Sequence, residues 1–330
     1  MTEEFEGEIL AELKPTEQII DSVEEAVEEL YSELEKINEE DDHGFEPELV
    51  GSVAKDTFLK DPDIDMFIKF PKSVAREDME RISLKVGRDL LDDPVERYAE
   101  HPYIHGRYKG FKADIVPCYE IAEGEGLKSA VDRTPLHTEY VIENLSEEEK
   151  NEVILLKGFL KGIGAYSAET RVRGFSGYLC ELLIHHYGSF REVLEESQDW
   201  KIGHRLELIE SDREFDEPLV VIDPTDSERN VASALSEDNM IYFIYAAKRY
   251  LDEPRRNFFF PDEVEEKLVD ELMVDYQERG TSLISVKLPR PDVVEDNLYP
   301  QVQKAERNFL KQFYDKDFDI IDGIVRKEPS

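Results

Sequence analysis

Basic residues are scarce in this chain: 40 lysines and arginines stand against 78 aspartates and glutamates, a net charge of −38 over 330 residues. The first fifty residues hold only Lys14 and Lys36 against nineteen acids. Such a surface repels itself in dilute buffer. Cysteine is nearly absent. Cys118 and Cys180 lie far apart in apolar settings with no paired ligand spacing, which excludes a disulfide scaffold and a structural zinc site and fits a reducing cytoplasm. Long apolar runs are missing as well. None approaches the roughly 18 residues of a membrane span, and the N-terminus is acidic where an export signal would be basic and apolar. The expectation is a soluble, cytoplasmic protein without a membrane partner.

Acidity of this kind has a simple explanation. At about 1 M salt the Debye length is only about 3 Å, so the self-repulsion largely disappears. The expected source is a halophile. The acids are spread among periodic apolar positions, which fits neither an acidic tail nor a disordered chain. At such salt the charge balance also stops arguing against a nucleic-acid partner, because binding then rests on short-range contacts and shape. Between residues 150 and 173 the balance reverses locally, with Lys150, Lys157, Lys161, Arg171 and Arg173 against Glu152 and Glu169.

What the chain does contain is 40% hydrophobic residues and length enough for two or three domains. Its most informative segment runs LVGSVAKDTFLKDPDIDMFIKFP. Gly51-Ser52 is a small turn after an apolar strand end, where a glycine lets the backbone approach a phosphate. Eleven residues beyond Ser52 comes Asp63-Ile64-Asp65, opening a strand to Phe70. Alternation places Ile64, Met66 and Ile68 on one face and both aspartates on the other. A further acid, Asp114, sits in the centre of the apolar run Phe111–Pro117. Two divalent ions about 3.5–4 Å apart must share ligands, so phosphoryl transfer by two metals needs this many carboxylates. A lone Asp-x-Asp reads equally well as a solvated strand edge. The third acid favours the metal.

The chain reads as an α+β protein. Helical spacing marks residues 16–38 and 76–91, with strands ending at Val50 and covering 63–70, 94–101 and 104–116. Ser146 and Glu149 form a capping box that opens a helix over 147–162, on which Lys150, Lys157 and Lys161 share one flank. Helices near 177–187, 189–197 and 237–251 and a strand at 219–223 follow. A last segment reads helix 262–279, strand 281–288, helix 293–314 and a weaker strand near 318–325, a pattern that looks incomplete. His185-His186 and Trp200 read as structural.

The stretches GSVAKDTFL, DPDIDMFIKFP, AEHPYIHG, KADIVPCY, SAVDRTPLH, NEVILLKGFLKGIGAYSAE, VRGFSGYLCELLIHHYGSF, DPTDSERNVA and PDVVEDNLYPQ resemble the archaeal-type (class I) CCA-adding enzymes, in the same order from about residue 1 to 325. The resemblance implies a polymerase-β-like nucleotidyltransferase head on a mixed sheet over residues 1–145. It implies a mostly helical neck over 146–257 and a partial α/β body over 258–330, short of most of the body and tail of family members. It further implies addition of C, C and A to the 3′ end of tRNA from CTP and ATP, with Mg²⁺ and a homodimer as expected associates. Carried over by position, Asp63, Asp65 and Asp114 are the catalytic metal ligands, although the first acid is often glutamate in the family. Gly51, Ser52, Thr134, His137, Lys157 and Tyr166 bind the incoming nucleotide, and Arg229 reads its base. Each also has a plain reading: a surface lysine, a structural histidine, a packed tyrosine, an arginine paired with Glu228 or Asp226. A poly(A)- or oligoadenylate-type transferase is the rival within the class. A non-catalytic RNA-binding module would lack one of the acids, and none is lacking.

Overall fold

The computed structural model describes residues 2–41, 43–121, 131–262, 269–289, 291, 295–321 and 323. Helices α1 (Thr2–Leu13) and α2 (Glu17–Asp41) lead into strand β1 (Glu46–Val50) and the one-turn helix α3 (Gly51–Ala54). Then come β2 (Asp63–Phe70), α4 (Arg76–Leu90), β3 (Asp92–Tyr98), β4 (Pro102–Tyr108) and β5 (Phe111–Tyr119). The five strands form one mixed sheet in the order β1-β2-β5-β4-β3, in which β2 and β5 are parallel and the other neighbours antiparallel.

Alternation along β2 divides this sheet. Ile64, Met66, Ile68 and Phe70 point into a core closed by Val23, Val27, Leu30 and Leu34 of α2 and by Met79, Ile82 and Val86 of α4. On the opposite face Phe67 packs with Val50, Val116 and Cys118, and beyond this small apolar patch lie the acids. Both cysteines are buried and free.

The second core is helical. It is built from α5 (Arg133–Asn144), α6 (Glu147–Gly162), α7 (Gly177–Tyr187), α8 (Phe190–Glu196) and α9 (Glu237–Asp252), with a small sheet of β6 (His204–Glu207), β7 (Leu219–Asp223) and β8 (Asp226–Asn230) in the order β6-β7-β8. Ile9 and Leu13 of α1 join this core rather than that of the first sheet. The capping box at Ser146 and Glu149 is formed in both directions. Every residue from Val153 to Leu160 is buried, so α6 is the axial helix of the unit, and Phe159 meets the rings of Phe190, Phe243, Tyr250, Phe258 and Phe259. Gly162 lets α6 end against backbone: a Cβ there would lie 2.1 Å from the Phe258 carbonyl oxygen.

Three expectations are corrected. The strand expected over 104–116 is two strands, because Lys109 and Gly110 both take positive φ (51° and 90°) and turn the chain back as a hairpin. Residues 281–288 are not a strand. Leu283, Ile284, Val286 and Leu288 have the composition for one, yet all four are exposed and no described strand lies beside them. An isolated strand leaves its backbone groups without partners. Residues 318–321 and 323 are likewise not strand, and the rest of that expected strand lies outside the described residues. Helices α10 (Val269–Arg279) and α11 (Glu295–Tyr314) occupy the expected helical stretches; residues 263–268 of the first lie outside the described set. No described helix is long and apolar enough to cross a membrane.

Candidate active site

The parallel pairing of β2 with β5 sets Asp65 directly beside Asp114. Asp63, two residues earlier on β2, faces the same side. Antiparallel β1 ends opposite, with Val50 paired to Asp65, so the turn into α3 falls over the acids. Gly51 has φ of 74°, and a Cβ on it would sit 2.1 Å from Asp65 Oδ2. No other residue satisfies both demands.

These groups line a cleft of about 600 Å³ between the first sheet and the helical core. Its sheet wall holds Gly51, Ser52, Asp63, Asp65 and Asp114. Burial pushes the Asp65 carboxyl up to about 7, and the charges of Asp114 and Asp63 add to this. Burial raises Asp114 too, against the opposing pull of His105, whose Nδ1 lies 2.6 Å from Asp114 Oδ1. Asp63 is the most open of the three and pairs with Lys112 at 3.4 Å.

The opposite wall carries a buried ionic network. Glu181, on α7 and fully buried, receives Lys55 Nζ at 2.5 Å on Oε2. Its Oε1 accepts from Lys157 Nζ at 2.9 Å and from Thr57 Oγ1 at 2.7 Å. Lys157 is 2% exposed and gives its other protons to the carbonyl and hydroxyl oxygens of Thr57 at 3.1 and 2.9 Å. Burial alone would raise the Glu181 carboxyl, but Lys157 and Lys55 outweigh it and hold it down at about 2. Tyr166 and Tyr178 complete this wall.

A second buried carboxylate lies behind it. Asp223, the last residue of β7, accepts from Arg229 at 2.7 Å and meets His137 Nε2 at 2.8 Å. The His137 ring stacks on Tyr178, with centroids 4.0 Å apart. Thr134 lines a shallower hollow of about 440 Å³ that shares Asp65 and Asp114 with the main cleft.

Three family profiles match the chain: "Nucleotidyltransferase domain" over residues 31–137, "tRNA nucleotidyltransferase, second domain" over 151–260, and "CCA-adding enzyme, C-terminal domain" over 279–328. The CCA-adding enzyme of Methanocaldococcus jannaschii is 41% identical over 97% of this chain and 74% of its own length. The chain belongs to the CCA-adding enzyme family. The CCA-adding enzyme of Haloarcula marismortui is 43% identical over 82% of this chain and 59% of its own length. Among solved structures, the Cid1 poly(U) polymerase with Mg and 3′-dATP bound superposes with a TM-score of 0.59 at 14% identity, covering 77% of this chain and 95% of that one. Escherichia coli CdnC with ATP gives 0.57 at 18%, covering 82% and 96%. The fold is that of the polymerase-β-like nucleotidyltransferases, whose members use divalent metal ions.

Set against this CCA-adding framework, the residues singled out in the sequence fall into two groups. Gly51, Ser52, Asp63, Asp65, Asp114, Lys157 and Tyr166 meet at the cleft, with Thr134 in the adjoining hollow. His137 and Arg229 are gathered on Asp223 and are not cleft-lining residues. Lys157 is no surface lysine, because α6 is buried on all sides where it stands. The ion pair expected for Arg229 forms with Asp223 rather than with Glu228 or Asp226; Asp226 holds Arg133 and Glu228 holds Arg213. His185 meets the Tyr140 hydroxyl, and Trp200 donates to the Tyr187 hydroxyl.

Among the described residues no three ligand side chains converge on one point as a preformed cage. The donor set nonetheless fits a hard divalent ion: oxygen ligands only, crowded enough to raise the Asp65 carboxyl, with room in the cleft for phosphate oxygens to complete the shell.

Several residues of this site escaped the sequence reading, among them Glu181, Asp223, Lys55 and His105. Glu181 is the sole acid of the apolar helix α7, a signal in itself, since a lone carboxylate among buried residues needs partners. Asp223 ends an all-buried strand and carried the same signal. Lys55 and His105 gave none, because their roles come from the long-range pairing of Lys55 with Glu181 and from the β4–β5 register.

Proposed function

We propose that this chain adds C, C and A in turn to the 3′ end of tRNA, using CTP and ATP without a nucleic-acid template and releasing pyrophosphate. The observation that carries the reading is the pairing of Asp65 with Asp114 on adjacent parallel strands, across a cleft from buried lysines, in a chain of the CCA-adding family. Asp63, Asp65 and Asp114 are assigned as the ligands of two Mg²⁺ ions. Bound there, the ions would acidify the terminal ribose hydroxyl and neutralise the departing pyrophosphate.

The chain's own groups do the rest. Gly51 and Ser52 bring backbone close to the phosphates. Lys55 and Lys157 supply positive charge, held in place by Glu181, where the triphosphate is most negative. His105 fixes the orientation of Asp114. Thr134, Tyr166 and His137 are assigned to the nucleotide's ribose and phosphates, and Arg229 to its base.

In this reading residues 1–145 form the catalytic head, 146–257 the neck and 258–330 part of the body. The enzyme works in the cytoplasm of a halophile, as its charge of −38 suggests, and associates as a homodimer. The test is extension of tRNA lacking its last three nucleotides, in molar KCl with Mg²⁺. With CTP alone the product grows by two residues and stops; adding ATP brings a single further residue. Continued homopolymer growth from either nucleotide would assign the chain to the poly(A) or oligoadenylate type instead.

A further inference from the structure

Asp223 is fully buried, yet donors from three separate elements reach its carboxylate. Arg229 Nη1 on β8 donates to Oδ2 at 2.7 Å, and His137 Nε2 on α5 lies 2.8 Å from the same oxygen. The other oxygen accepts from the Tyr178 hydroxyl on α7 at 3.3 Å and from the Thr225 amide and hydroxyl at 3.0 and 2.8 Å. Burial alone would raise this carboxyl; His137, Thr225 and Arg229 outweigh it and keep it ionised.

Two consequences follow from the placement. First, Arg229 is held by one edge. Its side chain is 32% exposed, and among the described residues Asp223 is its hydrogen-bond partner, so the rest of the guanidinium is available to a ligand. Second, the same carboxylate anchors the cleft wall. The His137 ring lies flat on Tyr178, and Tyr178 lines the cleft with its ring 5.9 Å from Lys55 Nζ. The adjoining Asp226 binds Arg133 at 3.0 Å on the same helix as His137, which clamps that helix to the β7–β8 turn twice.

We propose that Asp223 is a positioning residue for nucleotide selection: it aims the guanidinium of Arg229 at the base while fixing, through His137 and Tyr178, the wall against which the same nucleotide lies. The chemistry of the bases explains why aim matters. Cytosine and adenine both present a ring-nitrogen acceptor beside an amino group, whereas uracil and guanine present a ring N–H there. Arginine only donates, so a guanidinium set opposite that ring nitrogen accepts C and A and leaves U and G with two opposed donors. A guanidinium free to swing loses this discrimination. The proposal rests on the assignment of Arg229 as base reader.

The test is single-nucleotide incorporation by the full chain on tRNA lacking CCA, with CTP and UTP compared by kcat/KM, for Asp223→Asn, Thr225→Val, Arg229→Ala and the Asp223→Asn/Arg229→Ala pair. Asp223→Asn is expected to lower the CTP:UTP preference about tenfold, the value of a charge-assisted hydrogen bond, chiefly through the KM for CTP. Thr225→Val keeps the carboxylate paired and covers the case in which Asp223→Asn does not fold; it should lower the preference in the same direction by a smaller factor. In the Arg229→Ala background, Asp223→Asn should change the preference no further. If Arg229→Ala loses the preference while Asp223→Asn or Thr225→Val keeps it, Asp223 is a structural anchor only and the proposal falls. If Arg229→Ala itself keeps the preference, the assignment of the base reader falls, and the role of Asp223 with it.

Discussion

Two aspartates sit side by side on neighbouring parallel strands, and burial, with their mutual repulsion at Asp65, holds both carboxyls above their ordinary range. On the assignment of both as metal ligands, removing either takes away several kcal/mol of transition-state stabilisation. Asp65→Ala and Asp114→Ala are therefore expected to cut CTP incorporation by about a thousandfold or more, with an unchanged circular dichroism spectrum; near-normal turnover in either would sink the metal assignment. The raised Asp65 carboxyl gives a second, separable expectation. Its folded value of about 7 lies above its ordinary 3.8. In the metal-free protein its contribution to stability is therefore full at low pH and is lost as pH rises toward 7. A divalent ion must displace that proton, so affinity should climb about tenfold per pH unit below 7 and level off above it. Calorimetric titration with Mg²⁺ on either side of neutrality reads this directly, and a flat profile would mean that Asp65 is already ionised in the free protein.

At the scale of elements, α7 matters most, because it brings Glu181 between two lysines contributed by α6 and by the chain just after α3. Glu181→Gln leaves Lys55 and Lys157 buried without their anion, a change expected to cost about 3–5 kcal/mol, measurable by chemical denaturation in high salt. The carboxyl is held at about 2 against an ordinary 4.5. Its contribution is thus present above pH 4.5 and lost as pH falls toward 2, so the wild-type protein and the Glu181→Gln variant should converge in stability across that window. Convergence at neutral pH would contradict the network. The same elements show how far the sequence could be read. Asp63, Asp65 and Asp114 were legible because period-two alternation is a local property of each strand. Their adjacency was not, since it depends on β2 pairing with β5 across forty intervening residues. The Lys109-Gly110 turn lies inside the single strand expected over 104–116, although its glycine is a turn signal, and with it the contact of His105 with Asp114 was missed. Arg229 and His137 were legible only through family likeness; nothing local to either says that both end on Asp223. Residues 281–288 mark the opposite failure: composition suited to a strand forms none without a partner edge.

At the scale of the whole molecule, the surplus of acids sets the conditions under which everything else operates. Surface pairs such as Arg76–Glu80, Arg88–Glu96 and Lys109–Glu29 form among the described residues, but with 78 acids against 40 bases the acids in excess have no basic partner of their own. On α2 alone Asp21–Glu25, Glu24–Glu28 and Glu35–Glu39 stand one turn apart. Like pairs at that spacing cost about 0.2–0.5 kcal/mol each in dilute buffer, or about 1 kcal/mol together, and α2 carries only part of the surplus. Raising KCl from about 0.1 to 1 M shortens the Debye length from about 10 to 3 Å and should remove most of this repulsion. The thermal midpoint is therefore expected to rise by at least several degrees over that range, with the gain already large where screening, rather than water exclusion, is the changing quantity. Sucrose at matched water activity separates the two, since it leaves charge unscreened. A midpoint that is the same in dilute buffer and in molar KCl would show that the acids are spaced too widely to repel, and the inference of a high-salt cytoplasm would go with it.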